Sequence, residues 1–321
     1  MTEFFVEPTK PVLEGIGVSY SQYSMWATCP FQWKLAYVDG IRPQGDSIET
    51  IFGTAMHETI QGWLPGYFKD EKHGRKMDLG VTFKDRLMAN FQKSVKEVDG
   101  KKVYLCDPAT VQEFYNDGCE ILSHLTKYAR DFFPTKGYRL VGCEVPLELI
   151  IRKGIVFKGF LDIVIHDTKL NQYHIIDLKT SKVGWFYQKK DPKKINQILL
   201  YKKFYAVQYN VPEEDIFPRF IILKRKIKEN PDFIIRHLSK FEPSHGSISM
   251  NKATKDFDNF LNEGFSKKGE YKGDTQKPTP SESNCRYCFA KDDEATCPVS
   301  WYVQKLKKKK QTKALVEEAA E

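Results

Sequence analysis

Asp177-Leu178-Lys179 sets a carboxylate and an ammonium at the end of an apolar, β-branched run, and Asp162 closes the similar run Val156-Phe157-Lys158-Gly159-Phe160-Leu161. If each run is a strand and the polar stretch 167–172 is the turn between them, antiparallel pairing sets Asp162 beside Asp177. Side chains alternate across a strand, so Asp177 and Lys179 share one side and Leu178 points into the core. Two aspartates placed in this way suit a hard divalent cation, which takes oxygen ligands, positions a water and lowers its pKa. The same cation would neutralise charge building on a phosphodiester. Lys179 would orient the water or stabilise the transition-state charge, and the Leu178 carbonyl is a natural further ligand. The plain alternative is two aspartates ending strands in turns beside a solvated lysine.

His57 follows Gly53 by one helical turn, and a neutral imidazole can complete an oxygen-rich metal site. It reads equally as a structural histidine. Gln197 and Tyr201 are also one helical turn apart, so an amide and a phenol could tether active-site groups or hold a nucleic-acid backbone. A surface glutamine and a core tyrosine are the alternative.

Cys285-Arg286-Tyr287-Cys288 puts two thiols on one tight turn, Cys297-Pro298 offers a third, and Cys29-Pro30 is the best candidate for a fourth. Three-plus-one ligation would clamp the N-terminal helical region to the C-terminal region and restrict the unfolded chain. Cys106, Cys119 and Cys143 lie in segments that read as helix or strand, and are expected to be buried small apolar residues.

Several elements must position these groups. Ser19 or Ser21 is expected to cap a helix running through Trp26 to Tyr37, after an extended lead-in over residues 1–18. Apolar residues at three- and four-residue steps predict helices from Ser47 to Phe68, Val81 to Val98 and Pro108 to Phe133. After Pro134 the pattern becomes a three-stranded meander, Tyr138 to Ile151, Val156 to Ile165 and Tyr173 to Leu178. A helix from Asn196 to Val207, strands from Phe217 to Leu223 and Phe233 to Leu238, and a helix from Ser249 to Phe265 follow. The order predicts an α+β core around a mixed sheet.

With 321 residues, of which 41% are hydrophobic, the chain can bury a full core. No stretch approaches the roughly 18–20 apolar residues of a membrane span. The opening Met-Thr-Glu-Phe-Phe-Val-Glu lacks a basic start and an apolar signal core, so a cytoplasmic protein without membrane association is expected. A formal charge of +8 lends weak support to polyanionic partners.

Gly53-Thr54-Ala55-Met56-His57, Gly159-Phe160-Leu161-Asp162, Asp177-Leu178-Lys179-Thr180 and Gln197-Ile198-Leu199-Leu200-Tyr201, in that order, resemble the RecB-like branch of the PD-(D/E)xK nuclease superfamily. That resemblance implies a restriction-endonuclease-like core, with His57, Asp162, Asp177 and the Leu178 carbonyl as ligands of Mg2+ or Mn2+. It implies Lys179 as the catalytic lysine, supported by Gln197 and Tyr201. Glu144, on the first strand, either joins the acidic set or faces solvent.

The cysteine layout resembles the iron-sulfur subgroup of these nucleases, which includes the CRISPR-associated exonucleases and AddB-type nuclease domains. It implies a 4Fe-4S cluster on Cys29, Cys285, Cys288 and Cys297. Structural zinc is the main rival, and unrelated reduced thiols are the plain alternative. The organisation expected is a helical N-terminal region over 1–135, a nuclease core over 136–270, a cysteine clasp over 271–300 and a basic, flexible tail over 301–321.

Lys182 to Lys194 alternates basic and aromatic residues, either as a nucleic-acid contact or as an exposed loop with its rings tucked into the core. Lys305 to Lys310 and Lys313 add a basic tail that is either simply solvated or an auxiliary DNA attractor. The function expected is a metal-dependent DNA exonuclease acting on single strands or frayed ends in recombination, repair or replication. A helicase or recombination protein is a candidate partner, since the chain has no phosphate-binding loop of its own. The rival is a non-catalytic DNA-binding or complex-assembly subunit that retains the fold.

Overall fold

In the computed structural model, which describes residues 13–41, 47–98, 101–227 and 236–318, side-chain caps set most of the helix starts. After β1 (Ile16–Val18), Ser19 Oγ accepts from the N–H of Gln22 to begin α1 (Tyr20–Thr28). The single helix expected to reach Tyr37 is broken at Cys29, whose extended backbone precedes Pro30 at the start of α2 (Pro30–Trp33). Proline disfavours a helical conformation in the residue before it, which accounts for the break. A π-helical turn follows over Lys34–Val38.

Ser47 caps α3 (Ile48–Lys69), and Asp70 caps the short α4 (Glu71–Gly74). α5 (Gly80–Lys93) stops before the expected Val98, because β2 (Lys96–Val98) pairs antiparallel with β3 (Lys101–Val103). The next expected helix is likewise two: α6 (Pro108–Lys127), capped by Asp107, and α7 (Ala129–Phe132), separated by the non-helical Tyr128. The meander is present as β4 (Tyr138–Arg152), β5 (Ile155–Asp167) and β6 (Gln172–Ser181).

Asp191 caps α8 (Pro192–Tyr209), which leads to β7 (Ile216–Lys224). β8 (Leu238–Phe241) begins where the expected Phe233–Leu238 strand ends; residues 233–235 lie outside the described residues. α9 (Ser247–Gly264) and α10 (Glu282–Cys285) follow, and the lysine-rich tail expected to be flexible is helical as α11 (Trp301–Glu318). Residues 1–12, with most of the expected lead-in, lie outside the described residues. No helix among the described residues is long and apolar enough to cross a membrane.

Two compact units form, and they interleave along the sequence rather than following one another. The first contains Gly45–Leu149 and Lys158–Ala253; the second contains Leu13–Gln44, Ile150–Phe157 and Thr254–Glu321.

The first unit is an α+β mixed sheet flanked by helices. β4 pairs with β5, β5 and β6 are antiparallel, β6 and β7 parallel, and β7 and β8 antiparallel. The parallel pair needs a crossover, and α8 supplies it. Ile163, Ile165, Ile176, Leu178, Ile221 and Leu223 form one core with Phe52 of α3, Phe83 of α5 and Phe114 of α6. Each such side chain contributes about 1.5–3 kcal/mol by leaving water. Tyr205 of α8 lies against Tyr173 of β6, with ring centres 5.9 Å apart. At the rim of the core, Arg225 Nη1 donates to Asp117 Oδ2 at 3.0 Å, and its guanidinium lies 3.5 Å from the Phe114 ring centre. Cys106, Cys119 and Cys143 pack at the edge of this core and are half-buried, not buried as expected.

The second unit is held by aromatic packing. Trp33 meets Phe260, Phe265 and Tyr271 with ring centres 5.5–5.8 Å apart. β1 lies parallel to residues 155–157, and Ile16 N–H donates to the Gly154 carbonyl at 2.9 Å. Gly154 has φ +72°, and a Cβ there would come within 2.6 Å of the Lys268 carbonyl oxygen. Only glycine fits this left-handed, crowded junction.

Candidate active site

The β5–β6 pairing ends at Ile163 and Ile176, so the next residue on each strand is an aspartate. There a side chain takes over from the ladder: the N–H of Leu178 donates to Asp162 Oδ2 at 2.7 Å. Asp177 is 4% exposed, and its Oδ2 lies 2.8 Å from Lys179 Nζ in an ion pair. That contact lacks hydrogen-bond geometry, and no hydrogen bond reaches this buried oxygen.

Lys179 Nζ also donates to Gln197 Oε1 at 3.0 Å, and Gln197 Nε2 donates to Tyr201 OH at 3.4 Å. The helical spacing of Gln197 and Tyr201 thus becomes a relay along α8 toward the end of β6. α3 brings His57, whose Nδ1 is 3.5 Å from Asp162 Oδ2. Gly53, one turn earlier, allows α3 to approach β6: a Cβ there would lie 3.3 Å from Thr180 Oγ1. His57, Asp162, Asp177, Leu178, Lys179, Gln197 and Tyr201 therefore all meet at one place.

Burial, and then the Asp177 carboxylate, push the Asp162 carboxyl well above the usual carboxylate range, with Lys179 opposing. Burial would lower Lys179, but Asp177 and Asp162 outweigh it and hold the ammonium above its ordinary value. Burial lowers His57, leaving a neutral ring able to offer a lone pair, and pushes Tyr201 up to about 12.

Two residues sharpen the picture. Gln61 donates from Nε2 to Glu144 Oε1 at 2.5 Å and to the Asp162 carbonyl at 3.3 Å. It lies one helical turn beyond His57, and that spacing was the available signal. Glu144 is exposed but not idle: it holds φ +50° within β4, a left-handed conformation that costs a non-glycine residue of order 1–3 kcal/mol. Its charge is also among the influences that raise Asp162.

Among the described residues, no group of three or more His, Cys, Asp or Glu side chains is already drawn together as a metal cage. The donor chemistry nevertheless fits a hard divalent cation. A buried and a half-buried carboxylate crowd one another, Asp177 Oδ2 has no partner beyond its Lys179 ion pair, and the neutral His57 stands beside them.

In the second unit, Cys29, Cys285, Cys288 and Cys297 line one small cavity with Leu35 and Pro280, and all four are free thiols. Burial, then the neighbouring cysteines, raises the Cys297 thiol; Cys288 is raised by burial too, against a main-chain hydrogen bond from Ala290. Soft thiolate metals suit such a donor set, although the thiols are not drawn together around a metal position.

A family model described as the PD-(D/E)XK nuclease superfamily matches residues 17–292. No curated protein matches the chain.

Proposed function

The chain belongs to the PD-(D/E)XK nuclease superfamily, and from that premise we propose that it is a metal-dependent DNA nuclease of the RecB-like, iron-sulfur branch. Its proposed activity is exonucleolytic, on single-stranded or frayed DNA ends in recombination, repair or replication, beside a helicase or recombination protein. The observation that carries the nuclease reading is the bond from Leu178 N–H to Asp162 Oδ2, which joins β5 to β6 where Asp177 and Lys179 form their ion pair.

Asp162, Asp177, the Leu178 carbonyl and His57 would hold Mg2+ or Mn2+. When bound, the ion would position and acidify a water and neutralise charge on the scissile phosphate. The remaining work falls to the protein. Lys179 offers its ammonium to the non-bridging phosphate oxygens, where negative charge builds during displacement. Gln197 orients that ammonium, and Tyr201 steadies Gln197. Gln61 aligns β5 by holding the Asp162 carbonyl.

Cys29, Cys285, Cys288 and Cys297 would hold the 4Fe-4S cluster, with zinc as the rival occupant. Support comes from Cys29 lining the same small cavity as Cys285, Cys288 and Cys297, with all four thiols free.

End-labelled single- and double-stranded DNA, incubated with Mg2+, with Mn2+ or with chelator, tests the function. Metal-dependent shortening from an end is expected. Binding without cutting under every metal condition would instead favour a non-catalytic subunit.

A further inference from the structure

β6 runs on from Lys179 to Ser181, and a tight turn follows in which Ser181 Oγ accepts from Gly184 N–H and donates to the Gly184 carbonyl, both at 3.1 Å. Trp185 then anchors the loop, with its ring 5.0 Å from Phe220 and 6.5 Å from Phe241. The next two residues do the opposite. Phe186 and Tyr187 are 77% and 80% exposed, perpendicular to one another at 4.9 Å. A hydrogen bond from Phe186 N–H to Gln188 Oε1 at 3.1 Å helps to hold the turn that presents them.

Immediately beyond is a cavity of about 330 Å³ whose lining includes Lys189, Lys190, Asn196, Ser244, Ser249 and Lys252. Lys189 Nζ lies over the Phe241 ring at 5.4 Å. Glu242 also lines the cavity, but its carboxylate is engaged by Arg219, at 2.6 Å from Nη2 and 2.7 Å from Nε. The cavity therefore keeps a positive balance.

Exposed rings resist water and would normally be tucked inward, as Trp185 is. An anchored loop that packs one half-buried ring against the sheet and presents two, beside a lysine-lined hollow, matches the two surfaces of a single strand: flat unpaired bases and charged phosphates. The geometry points to Phe186 and Tyr187 as a stacking platform for unpaired nucleobases, with the adjoining cavity holding the backbone phosphates of the same DNA strand. This assignment rests on the nuclease reading and names the form of substrate that the site receives. Phe186 lies seven positions beyond Lys179, so the platform is within roughly 25 Å of that lysine even if the chain were fully extended.

Fluorescence anisotropy with a labelled oligo-dT strand and a blunt duplex of equal length, both in chelator so that nothing is cut, tests it. Phe186→Ala with Tyr187→Ala should weaken oligo-dT binding by roughly ten- to a hundredfold and leave duplex binding nearly unchanged. Phe186→Trp with Tyr187→Phe should restore it. Lys190→Gln with Lys252→Gln should flatten the salt dependence of strand binding by roughly one unit of slope per lysine.

Both rings are mostly outside the core, so an unchanged melting temperature should accompany the alanine variant; Tyr187→Ala alone serves as a second, milder variant. Native-strength oligo-dT binding by the alanine variants, as a protein-docking role for the rings would give, overturns the assignment. Equal losses on strand and duplex also overturn it. A protein that cuts nothing with metal yet loses strand binding in these variants would sink the nuclease reading and leave the platform standing.

Discussion

Lys179 Nζ and Gln197 Oε1 are 3.0 Å apart, joining the end of β6 to the crossover helix α8. The ammonium is thus held from two sides, by the Asp177 carboxylate and by an amide that cannot compete for a proton. Gln197 acts as a positioning residue. Gln197→Ala should lower kcat by roughly ten- to a hundredfold with little change in strand affinity, since misplacing a catalytic group by about 1 Å can cost a hundredfold. Single-turnover cleavage beside binding in chelator measures both, and an unchanged kcat would remove Gln197 from the site.

Asp162→Ala, Asp177→Ala and Lys179→Ala should each abolish metal-dependent cutting while DNA is still bound in chelator. Undiminished cutting by any purified variant refutes the assignment of that residue.

The crowded carboxylates also make a stability prediction. A carboxyl raised by folding binds more protons in the native state, so the metal-free protein loses stability as pH climbs through that raised value. Asp162→Asn removes this penalty. In chelator at neutral pH the variant should melt above the native protein, and a lower melting temperature would show that the carboxylate pair is not under strain.

Asp117 and Arg225 are both buried, with Lys226 Nζ 2.8 Å from the other Asp117 oxygen. Asp117→Ala leaves the guanidinium without its partner and should cost about 3–5 kcal/mol. Replacing both, Asp117→Leu with Arg225→Met, should recover much of the loss. Urea denaturation of the three proteins gives the comparison.

His124 is lowered to about 4, first by burial and then by His237, and its Nε2 is buried without a hydrogen bond. The unfolded chain binds this proton near 6.5 and the folded one only near 4, so stability should fall as pH is lowered between those values. His124→Leu should flatten that decline in pH-dependent melting curves. Parallel curves for the two proteins would count against it.

Serine at any one of Cys29, Cys285, Cys288 or Cys297 should strip bound iron and sulfide, or zinc, from the anaerobically purified protein. Serine at Cys106, Cys119 or Cys143 should leave metal content unchanged. Elemental analysis distinguishes the two groups, and metal-free native protein would leave the cysteine cavity purely structural.

Much of the site was legible because strand periodicity carries register. Two β-branched runs, one short polar turn and an aspartate ending each run were enough to expect Asp162 beside Asp177, and the pairing at Ile163 and Ile176 agrees. Helical spacing likewise brought out His57, Gln197 and Tyr201. Local breaks were harder to read. Apolar spacing ran through Cys29 and Tyr128, where the backbone leaves the helical region, and over Lys96–Val98, which pairs as a ribbon instead. Trp301–Glu318 lacked a sustained apolar stripe, so a lysine-rich helix read as a tail. Gln61 was missed because its one signal, an amide one turn beyond a histidine, is common on helices and gains meaning only when Glu144 and the Asp162 carbonyl lie across from it.

The second unit draws on three segments far apart in the chain, and this sets a timetable for biosynthesis. At roughly 5–20 residues per second, a ribosome needs on the order of tens of seconds to travel from Cys29 to Cys297. Cys29 must therefore wait until Cys297 has emerged before the cysteine-lined cavity can form. A nascent chain stalled before Cys285 would already contain the strands that bear Asp162, Asp177 and Lys179, while Cys29 would lack the three later cysteines of its cavity.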